Sequence, residues 1–323
     1  ILDGGNGNDT LHGGAGNDTM LGGNDDDRIL WRQGDGNDVA DGGSGFDVLA
    51  IDGTAGNDSF QVTANGTGVF VTKEAGAQGS VSVTNVEEIT ITGGSGNDTF
   101  SVTGNVAALT HVTLDGGAGN DVINGGNGND LLIGGDGNDV IDGNQGNDTV
   151  LMGAGNDTFT WDPGDGSDIV EGQAGDDRLL FNGANIAERI DIAANGGRVR
   201  FTRDVANITM DLNDVERIEF KALGGADTVT VGDLSGTDAN RVLVDLAAQT
   251  APNSHFTMGA VFRPFARPLA LGVLLVVIDA LASLAGPANA VGSQIRKSLA
   301  LLSAGPRKLC SAETAARKTG TNK

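Results

Sequence analysis

Disulfide-forming residues and large apolar side chains are scarce in this sequence. Its 323 residues include no tyrosine, two tryptophans and one cysteine, and aromatic residues make up 4% of the chain. A single cysteine, Cys310, excludes an internal disulfide framework. So few large apolar residues argue against a thick globular core. Another source of stability is therefore expected.

Basic residues are scarce as well, with 20 Lys and Arg against 43 Asp and Glu and a formal net charge of −23. Nucleic acid is an improbable partner for such a chain, because phosphates are bound by basic surfaces. Small cations are the natural partner. The charge also divides the chain: residues 1–254 carry 41 acidic and 11 basic side chains, whereas residues 255–323 carry 2 and 9.

Sequence motifs of common catalytic centres are missing. The three histidines, His12, His111 and His255, are scattered without an HExxH pattern, and no GxSxG or GxxxxGK[ST] motif occurs. We therefore expect no enzymatic activity from this segment.

Glycine is abundant, with 53 residues, and much of it lies in a nine-residue repeat. The unit reads G-G-x-G-x-D-x-U-x, where U is apolar, as in "GGNGNDTLH" from Gly4 and "GGAGNDTML" from Gly13. Fourteen units occur, and the sixth position is aspartate in every one. These candidate metal ligands are Asp9, Asp18, Asp27, Asp38, Asp47, Asp58, Asp98, Asp121, Asp130, Asp139, Asp148, Asp157, Asp168 and Asp177.

A longer period indicates a tandem duplication. "DRILWRQGDGNDV" (27–39) matches "DTFTWDPGDGSDI" (157–169) at an offset of 130, and "NVEEITI" (85–91) matches "DVERIEF" (214–220) at 129. The second copy has lost one unit, because Glu188 stands where the first copy has Asp58.

Each unit divides into a six-residue turn and a three-residue strand. The single U side chain of the strand points inward, and two facing units make one turn of a right-handed parallel solenoid, with unit i above unit i+2. Two-residue insertions at Trp31-Arg32, Ile51-Asp52 and Trp161-Asp162 lengthen strands without breaking the alternation. The predicted inward column is Leu11, Met20, Ile29, Ala40, Leu49, Phe60, Ile123, Leu132, Ile141, Val150, Phe159, Val170 and Leu179.

This stacking brings the aspartates of successive turns close together. Two carboxylates about 5 Å apart repel by about 3 kcal/mol at an effective dielectric constant near 20. A divalent cation between turns reverses the sign of that interaction. Calcium fits best, since it accepts six to eight oxygen ligands from carboxylates and carbonyls in tolerant geometry.

At these residues the sequence resembles the RTX, or hemolysin-type, calcium-binding repeat proteins of bacteria. The resemblance implies a parallel β-roll in which units i and i+2 share each calcium ion, with pairs such as Asp9 with Asp27, Asp121 with Asp139, Asp130 with Asp148, and Asp139 with Asp157. It also implies export by a type I secretion system and folding in calcium-rich medium. The basic tail differs from the export signal of that family.

The expected fold is all-β: a right-handed parallel β-roll or β-solenoid in two tandem copies, each followed by a further β-rich segment. We predict calcium-binding rolls at 1–61 and 116–180, β-rich segments at 62–115 and 181–250, and an isolated repeat at 93–101. Residues 62–92 and 186–231 are predicted to form ion-free coils or hairpin inserts. A carbohydrate- or protein-binding face on them is the alternative.

Residues 251–323 form an atypical tail. Within it, "LALGVLLVVIDALASLAG" (269–286) is long enough for a membrane helix, although Asp279 disfavours one. An export signal, a membrane anchor and a frame or fusion junction remain open for this tail. Because the chain starts with "ILDGG" in the middle of the pattern, we also expect it to be part of a longer protein.

The sequence therefore predicts a module, secreted or on the bacterial cell surface, that binds several calcium ions and folds with them. Two alternatives are the folding and export portion of an exported hydrolase with its catalytic domain upstream, and a segment of an adhesin. The predicted partners are calcium ions, with type I secretion machinery and a cell-surface or carbohydrate ligand as further candidates.

Overall fold

The described residues form two long β-sheets that face each other. The structure is a computed structural model and describes residues 1–73 and 79–245, together with the backbone of 255–258 and 275–279. Sheet A has 14 strands and sheet B has 13 within these residues. Successive units alternate between the sheets, so the chain winds around a narrow interior.

Sheet A contains the strands of the even-numbered units of the first copy and their continuation. Its strands, in spatial order, are β1 (Leu2–Asn6), β3 (Thr19–Asn24), β5 (Gly36–Ser44), β9 (Gly79–Thr84), β8 (Gly68–Lys73), β7 (Ser59–Asn65), β11 (Thr99–Thr103), β13 (Val122–Asn124), β15 (Val140–Asp142), β17 (Thr158–Trp161), β19 (Arg178–Asn182), β23 (Arg217–Lys221), β25 (Arg241–Asp245) and β27 (Leu275–Asp279).

Sheet B lies opposite. Its strands, in spatial order, are β2 (Thr10–His12), β4 (Arg28–Arg32), β6 (Val48–Thr54), β10 (Glu88–Ser95), β12 (His111–Ala118), β14 (Leu131–Asp136), β16 (Thr149–Gly155), β18 (Ile169–Gly175), β22 (Ile208–Asn213), β21 (Arg198–Arg203), β20 (Arg189–Asn195), β24 (Thr228–Val231) and β26 (His255–Met258).

Strand pairing follows the two-unit period that the sequence predicts. β13 pairs in parallel with β15, with Ile123 opposite Ile141, and β2 pairs in parallel with β4, with Leu11 opposite Ile29. Each of these partners is 18 residues from the other, which is two nonapeptides. The prediction of an all-β parallel β-roll is confirmed.

The interior is a single column of apolar side chains between the sheets. All thirteen residues of the predicted inward column are buried, from Leu11 to Leu179. The predicted strand extensions are also correct: Trp31, Ile51 and Trp161 are buried one step further along their strands, while Arg32 and Asp52 form an ion pair of 2.9 Å on the outside. The core is therefore long and thin.

Each copy of the duplication carries one antiparallel insert. In the first copy β7, β8 and β9 form an antiparallel meander between β5 and β11 in sheet A. In the second copy β20, β21 and β22 form the equivalent meander between β18 and β24 in sheet B. The predicted hairpin inserts are present, and they extend the sheets rather than leave them.

Helical structure is limited to two short 3-10 helices in the described ranges, Val106–Ala108 and Val205–Asn207. None of the helices in that part of the chain has the length and apolarity that a membrane span needs. Leu275–Asp279, in the centre of the candidate membrane segment 269–286, is a strand paired with β25. The rest of that segment, with most of the 251–323 tail and Cys310, lies outside the described residues.

Candidate metal centre

The turns between strands are held together by close stacking of backbone on backbone. Gly137, at φ 134°, lies directly over the Gly119 carbonyl two units earlier, and a methyl group on Gly137 would overlap that oxygen. Glycine is therefore required at this turn position for two reasons, the left-handed φ and the absent Cβ. The stacking places equivalent residues of successive turns above one another.

One oxygen of each stacked aspartate joins its turn to the preceding turn of the same sheet. The Asp121 backbone N–H donates to Asp139 Oδ1 at 2.8 Å, and the Asp139 N–H donates to Asp157 Oδ1 at 2.8 Å. The same bond, at 2.7–2.9 Å, links the following runs, which we call the carboxylate ladder: Asp9, Asp27, Asp47 and Glu87; Asp18 and Asp38; Asp58, Asp98, Asp121, Asp139, Asp157, Asp177 and Glu216; Asp130, Asp148 and Asp168; Glu188 and Asp227.

The four pairs that the resemblance implied are all neighbours in this ladder: Asp9 with Asp27, Asp121 with Asp139, Asp130 with Asp148, and Asp139 with Asp157.

The second oxygen of most of these aspartates has no protein partner. Twelve of the fourteen predicted ligands have an Oδ2 atom that is shielded from solvent and accepts no hydrogen bond. A buried carboxylate oxygen without a donor is costly, so the regular repetition of such oxygens fits the binding of positively charged ions. These residues are Asp9, Asp27, Asp38, Asp47, Asp98, Asp121, Asp130, Asp139, Asp148, Asp157, Asp168 and Asp177.

Backbone carbonyls converge on the same space. A methyl group built on Gly4 would lie 2.9 Å from Asp9 Oδ2 and 2.6 Å from the Gly22 carbonyl oxygen of the next turn in the sheet. Gly125 has the same surroundings, with Asp130 Oδ2 at 3.1 Å and the Gly143 carbonyl oxygen at 3.0 Å from its built methyl. We call each such space beside a first-position glycine a cradle.

The donor set suits calcium. Within the described ranges, no three His, Cys, Asp or Glu side chains converge as a metal-binding group. An ion in a cradle would therefore draw on the few carboxylates of stacked turns and on backbone carbonyls. A hard cation that tolerates irregular oxygen coordination accepts such a set, whereas zinc and copper prefer nitrogen and sulfur.

Burial of the ladder carboxylates disfavours their ionised form. It raises the pKa of Asp148 to about 8, and that of Asp130 and Asp168 to about 7 each, partly offset by the backbone N–H groups that donate to them. The pKa of Asp98 and Asp157 rises to about 6 for the same reason. Without a cation, Asp130, Asp148 and Asp168 would therefore be partly protonated near neutral pH.

Asp58 differs from the other predicted ligands. Its Oδ2 accepts hydrogen bonds from the Thr54 N–H at 2.6 Å and the Thr54 hydroxyl at 3.0 Å, and its Oδ1 lies 3.0 Å from Lys73 Nζ. The side chains of Lys73 and Asp58 are 1% and 4% exposed. Lys73 ends β8 of the first insert, so a side-chain ammonium neutralises this carboxylate.

The second copy repeats this arrangement with different residues. Arg203 ends β21, 130 residues after Lys73, and its Nε lies 2.5 Å from Glu188 Oε1. Glu188 also accepts from the Ala184 N–H at 2.9 Å and, like Arg203, is buried. Both inserts thus place a cationic side chain against the carboxylate that begins them.

A second ladder, formed by the fifth position of the unit, was not predicted from the sequence. The Asn138 side-chain oxygen accepts from the Asn156 N–H at 2.7 Å, and Asn120 accepts from Asn138 at 2.6 Å. Each asparagine oxygen accepts from the N–H of a later turn, whereas each aspartate oxygen accepts from the N–H of an earlier turn. The sequence feature that could have predicted this second ladder is the "ND" dipeptide, because ten of the fourteen units have asparagine before the aspartate.

Three further ladder members lie outside the nonapeptide pattern. Glu87 and Glu216 accept the Asp47 and Asp177 N–H groups at 2.8 and 2.7 Å, and Asp227 accepts from Glu188 at 2.8 Å. Their local spacing lacks the G-G-x-G turn. The duplication held a partial signal, because Glu87 and Glu216 are equivalent at the 129-residue offset.

His12 contacts a carboxylate of the loop that precedes β5. Its Nε2 lies 3.0 Å from Asp35 Oδ2, which also accepts the Arg32 N–H at 2.7 Å. That pairing braces the loop before β5.

The chain matches a known family model. The family model of the RTX calcium-binding nonapeptide repeat matches in four copies, over residues 1–29, 34–49, 90–102, 113–139, 125–159 and 164–185. These ranges contain every predicted aspartate ligand except Asp58, the one that Lys73 neutralises. No curated protein matches the chain.

Proposed function

This chain is built on RTX calcium-binding nonapeptide repeats, and we propose that the calcium ions they bind are what fold its two rolls into a stable module of a secreted protein. The observation that carries the proposal is the row of twelve buried Oδ2 atoms without a hydrogen-bond donor. Their number and regular spacing match a row of cations between turns better than any set of isolated side-chain contacts.

Thirteen of the predicted aspartates act as calcium ligands in this proposal. Asp58 is left out, because Lys73 and Thr54 occupy both of its oxygens. Residues 1–61 and 116–180 are the calcium-binding rolls, and residues 62–115 and 181–250 connect them to the next part of the stack. The side-chain cations Lys73 and Arg203 neutralise the carboxylates that begin the two inserts, so no ion is needed there.

Folding by calcium follows from linkage. A site that binds the folded chain alone adds about 1.4 kcal/mol at a calcium concentration tenfold above its dissociation constant. Several such sites together outweigh the repulsion of a chain with a net charge of −23. At the low calcium of a bacterial cytoplasm the rolls stay unfolded, and in calcium-rich medium they fold.

This calcium dependence suits export. Proteins with RTX repeats are typically secreted, and an unfolded chain is the form that passes through a narrow exporter. The proposed location is therefore outside the bacterial cell or on its surface, with type I secretion machinery as the transient partner. The module then serves as a folded structural or interaction unit.

Circular dichroism of the full chain tests the proposal. We expect a disordered spectrum in EGTA and a β spectrum after addition of millimolar calcium, with magnesium much less effective. A β spectrum that EGTA leaves unchanged would falsify calcium-driven folding. Isothermal titration calorimetry on the same samples would count the ions.

A further inference from the structure

Each roll reaches a point at which the nonapeptide pattern stops but the carboxylate ladder continues by one residue. In sheet B the ladder passes from Asp47 to Glu87, and in sheet A from Asp177 to Glu216. Neither glutamate lies within the residues that match the repeat family. The two positions are equivalent in the duplication, so the same feature occurs twice.

The aspartate before each glutamate has the orphan oxygen of a calcium cradle. Asp47 and Asp177 are 0% exposed, and the Oδ2 atom of each lacks a hydrogen-bond donor. Their Oδ2 atoms would lie 2.7 and 2.9 Å from methyl groups built on Gly42 and Gly172, the first-position glycines of their units. Both oxygens therefore face into a cradle.

The carbonyl of a short loop completes each of these cradles. A methyl on Gly42 would overlap the Asn85 carbonyl oxygen, and a methyl on Gly172 would overlap the Asp214 carbonyl oxygen. In the ordinary cradle beside Gly22 that place is taken by the Gly42 carbonyl oxygen. Asn85 and Asp214 thus stand where a first-position glycine stands elsewhere.

The backbone conformation at these two positions differs from that of a first-position glycine, since Gly22 and Gly42 do not have positive φ. Asn85 and Asp214 have φ values of 52° and 51°, in the left-handed region that asparagine and aspartate tolerate best among residues other than glycine. In a nonapeptide five positions separate the first glycine from the aspartate, whereas here two separate Asn85 from Glu87. The longer glutamate side chain makes up for the shorter loop and still reaches the Asp47 N–H.

We propose that the three-residue loops 85–87 and 214–216 each close a calcium site, with Glu87 beside Asp47 and Glu216 beside Asp177 as the carboxylates. These sites end the rolls and are additional to those between pairs of nonapeptides. The proposal rests on the calcium-driven folding proposed above. It extends the binding residues beyond the repeat to a loop with no G-G-x-G turn.

Calcium counting on the full chain tests these two sites. Glu87→Gln and Glu216→Gln keep an oxygen that accepts the aspartate N–H but remove the negative charge. We expect each variant to bind one calcium ion fewer than the natural chain, or to bind one ion at least tenfold more weakly, and the double variant to lose two. Glu88→Gln is the matched control, because Glu88 is the next residue and contacts Thr90 and Thr113 hydroxyls instead. It should bind as the natural chain does.

The outcomes separate this inference from the proposed function. If the natural chain binds calcium and both glutamine variants keep its full stoichiometry and affinities, the closing sites are refuted while the nonapeptide sites stand. If the natural chain binds no calcium, calcium-driven folding itself is refuted.

If the variants fail to fold at any calcium concentration, crystals of the natural chain grown with terbium decide the matter. An anomalous peak beside the Asn85 and Asp214 carbonyl oxygens supports the sites, and its absence while other cradles hold terbium overturns them.

Discussion

At the scale of the residue, each ladder aspartate divides its two oxygens between two tasks. In Asp139, Oδ1 accepts the Asp121 N–H and fixes the spacing of two turns, whereas Oδ2 is buried in a cradle without a donor. A hydrogen bond alone would be served as well by asparagine. The carboxylate is needed for the second oxygen, where a charge faces the ion.

Asp139→Asn should therefore separate the two tasks. The amide oxygen keeps the ladder bond, but the lost charge weakens the calcium sites it lines, so the calcium midpoint of folding should rise several-fold. In calcium-saturated buffer we expect a loss of at least about 1.4 kcal/mol, the value of one site at tenfold excess. The comparison is urea unfolding of this variant and of Asp58→Asn, which should leave calcium stoichiometry unchanged. Equal calcium midpoints for Asp139→Asn and the natural chain would contradict the assignment.

Lys73 should contribute to the free energy of unfolding but not to calcium binding. Lys73→Met leaves Asp58 as an uncompensated buried charge, a loss that costs about 3–5 kcal/mol in comparable buried pairs. Urea unfolding at saturating calcium measures it. The double variant Lys73→Met with Asp58→Asn should recover much of the loss, since no unpaired charge remains. Additive losses in the two single variants would argue against a direct pair.

At the scale of the element, the turn depends on the missing Cβ as much as on the backbone angle. Gly137 and Gly14 both have positive φ, at 134° and 75°, but only Gly137 lies against a carbonyl, and Gly14 has open space where a Cβ would be. Gly14→Ala should cost about 1–2 kcal/mol from conformation alone. Gly137→Ala should cost clearly more, because the Gly119 carbonyl must also move. Thermal unfolding in calcium compares the two, and equal losses would show that close stacking is unimportant.

The sequence was sufficient for the elements that repeat. A fixed nine-residue spacing determines which side chains face inward, and so the buried column from Leu11 to Leu179 and the stacking of Asp121 on Asp139 could be predicted. The match between residues 27–39 and residues 157–169 likewise revealed the duplication.

The contacts that break the period were not predictable in this way. Lys73 meets Asp58 only because β8 runs antiparallel to β7, which sets Lys73 opposite Phe60. Glu87 enters the ladder only because its loop is three positions shorter and its side chain longer than those of a unit. Both depend on strand direction and loop length, which a one-dimensional repeat pattern does not contain.

At the scale of the whole molecule, protons and calcium compete for the same carboxylates. Burial raises the pKa of Asp148 to about 8 and that of Asp177 to about 6, above the ordinary 3.8. Without calcium the folded chain therefore binds more protons than the unfolded chain between about pH 4 and pH 8, so its stability falls as pH rises through that window.

Two measurements check this competition. In chelated, calcium-free buffer the β signal in circular dichroism should increase as pH is lowered from 8 toward 5. Calcium binding near pH 7 should release protons, which calorimetry in buffers of different ionisation enthalpy detects. A calcium-free chain that loses β structure on mild acidification would contradict the burial of these carboxylates.

The two inserts occupy opposite sheets, β7 to β9 in sheet A and β20 to β22 in sheet B. Each nonapeptide is half a winding, so an even number of units between two features places them on the same side of the solenoid and an odd number places them on opposite sides. Gain or loss of a single unit in the second roll would rotate all later residues by half a turn about the solenoid axis. Gain or loss of two units would change only the length of the solenoid. Changes in length that preserve the orientation of downstream surfaces should thus come in steps of eighteen residues.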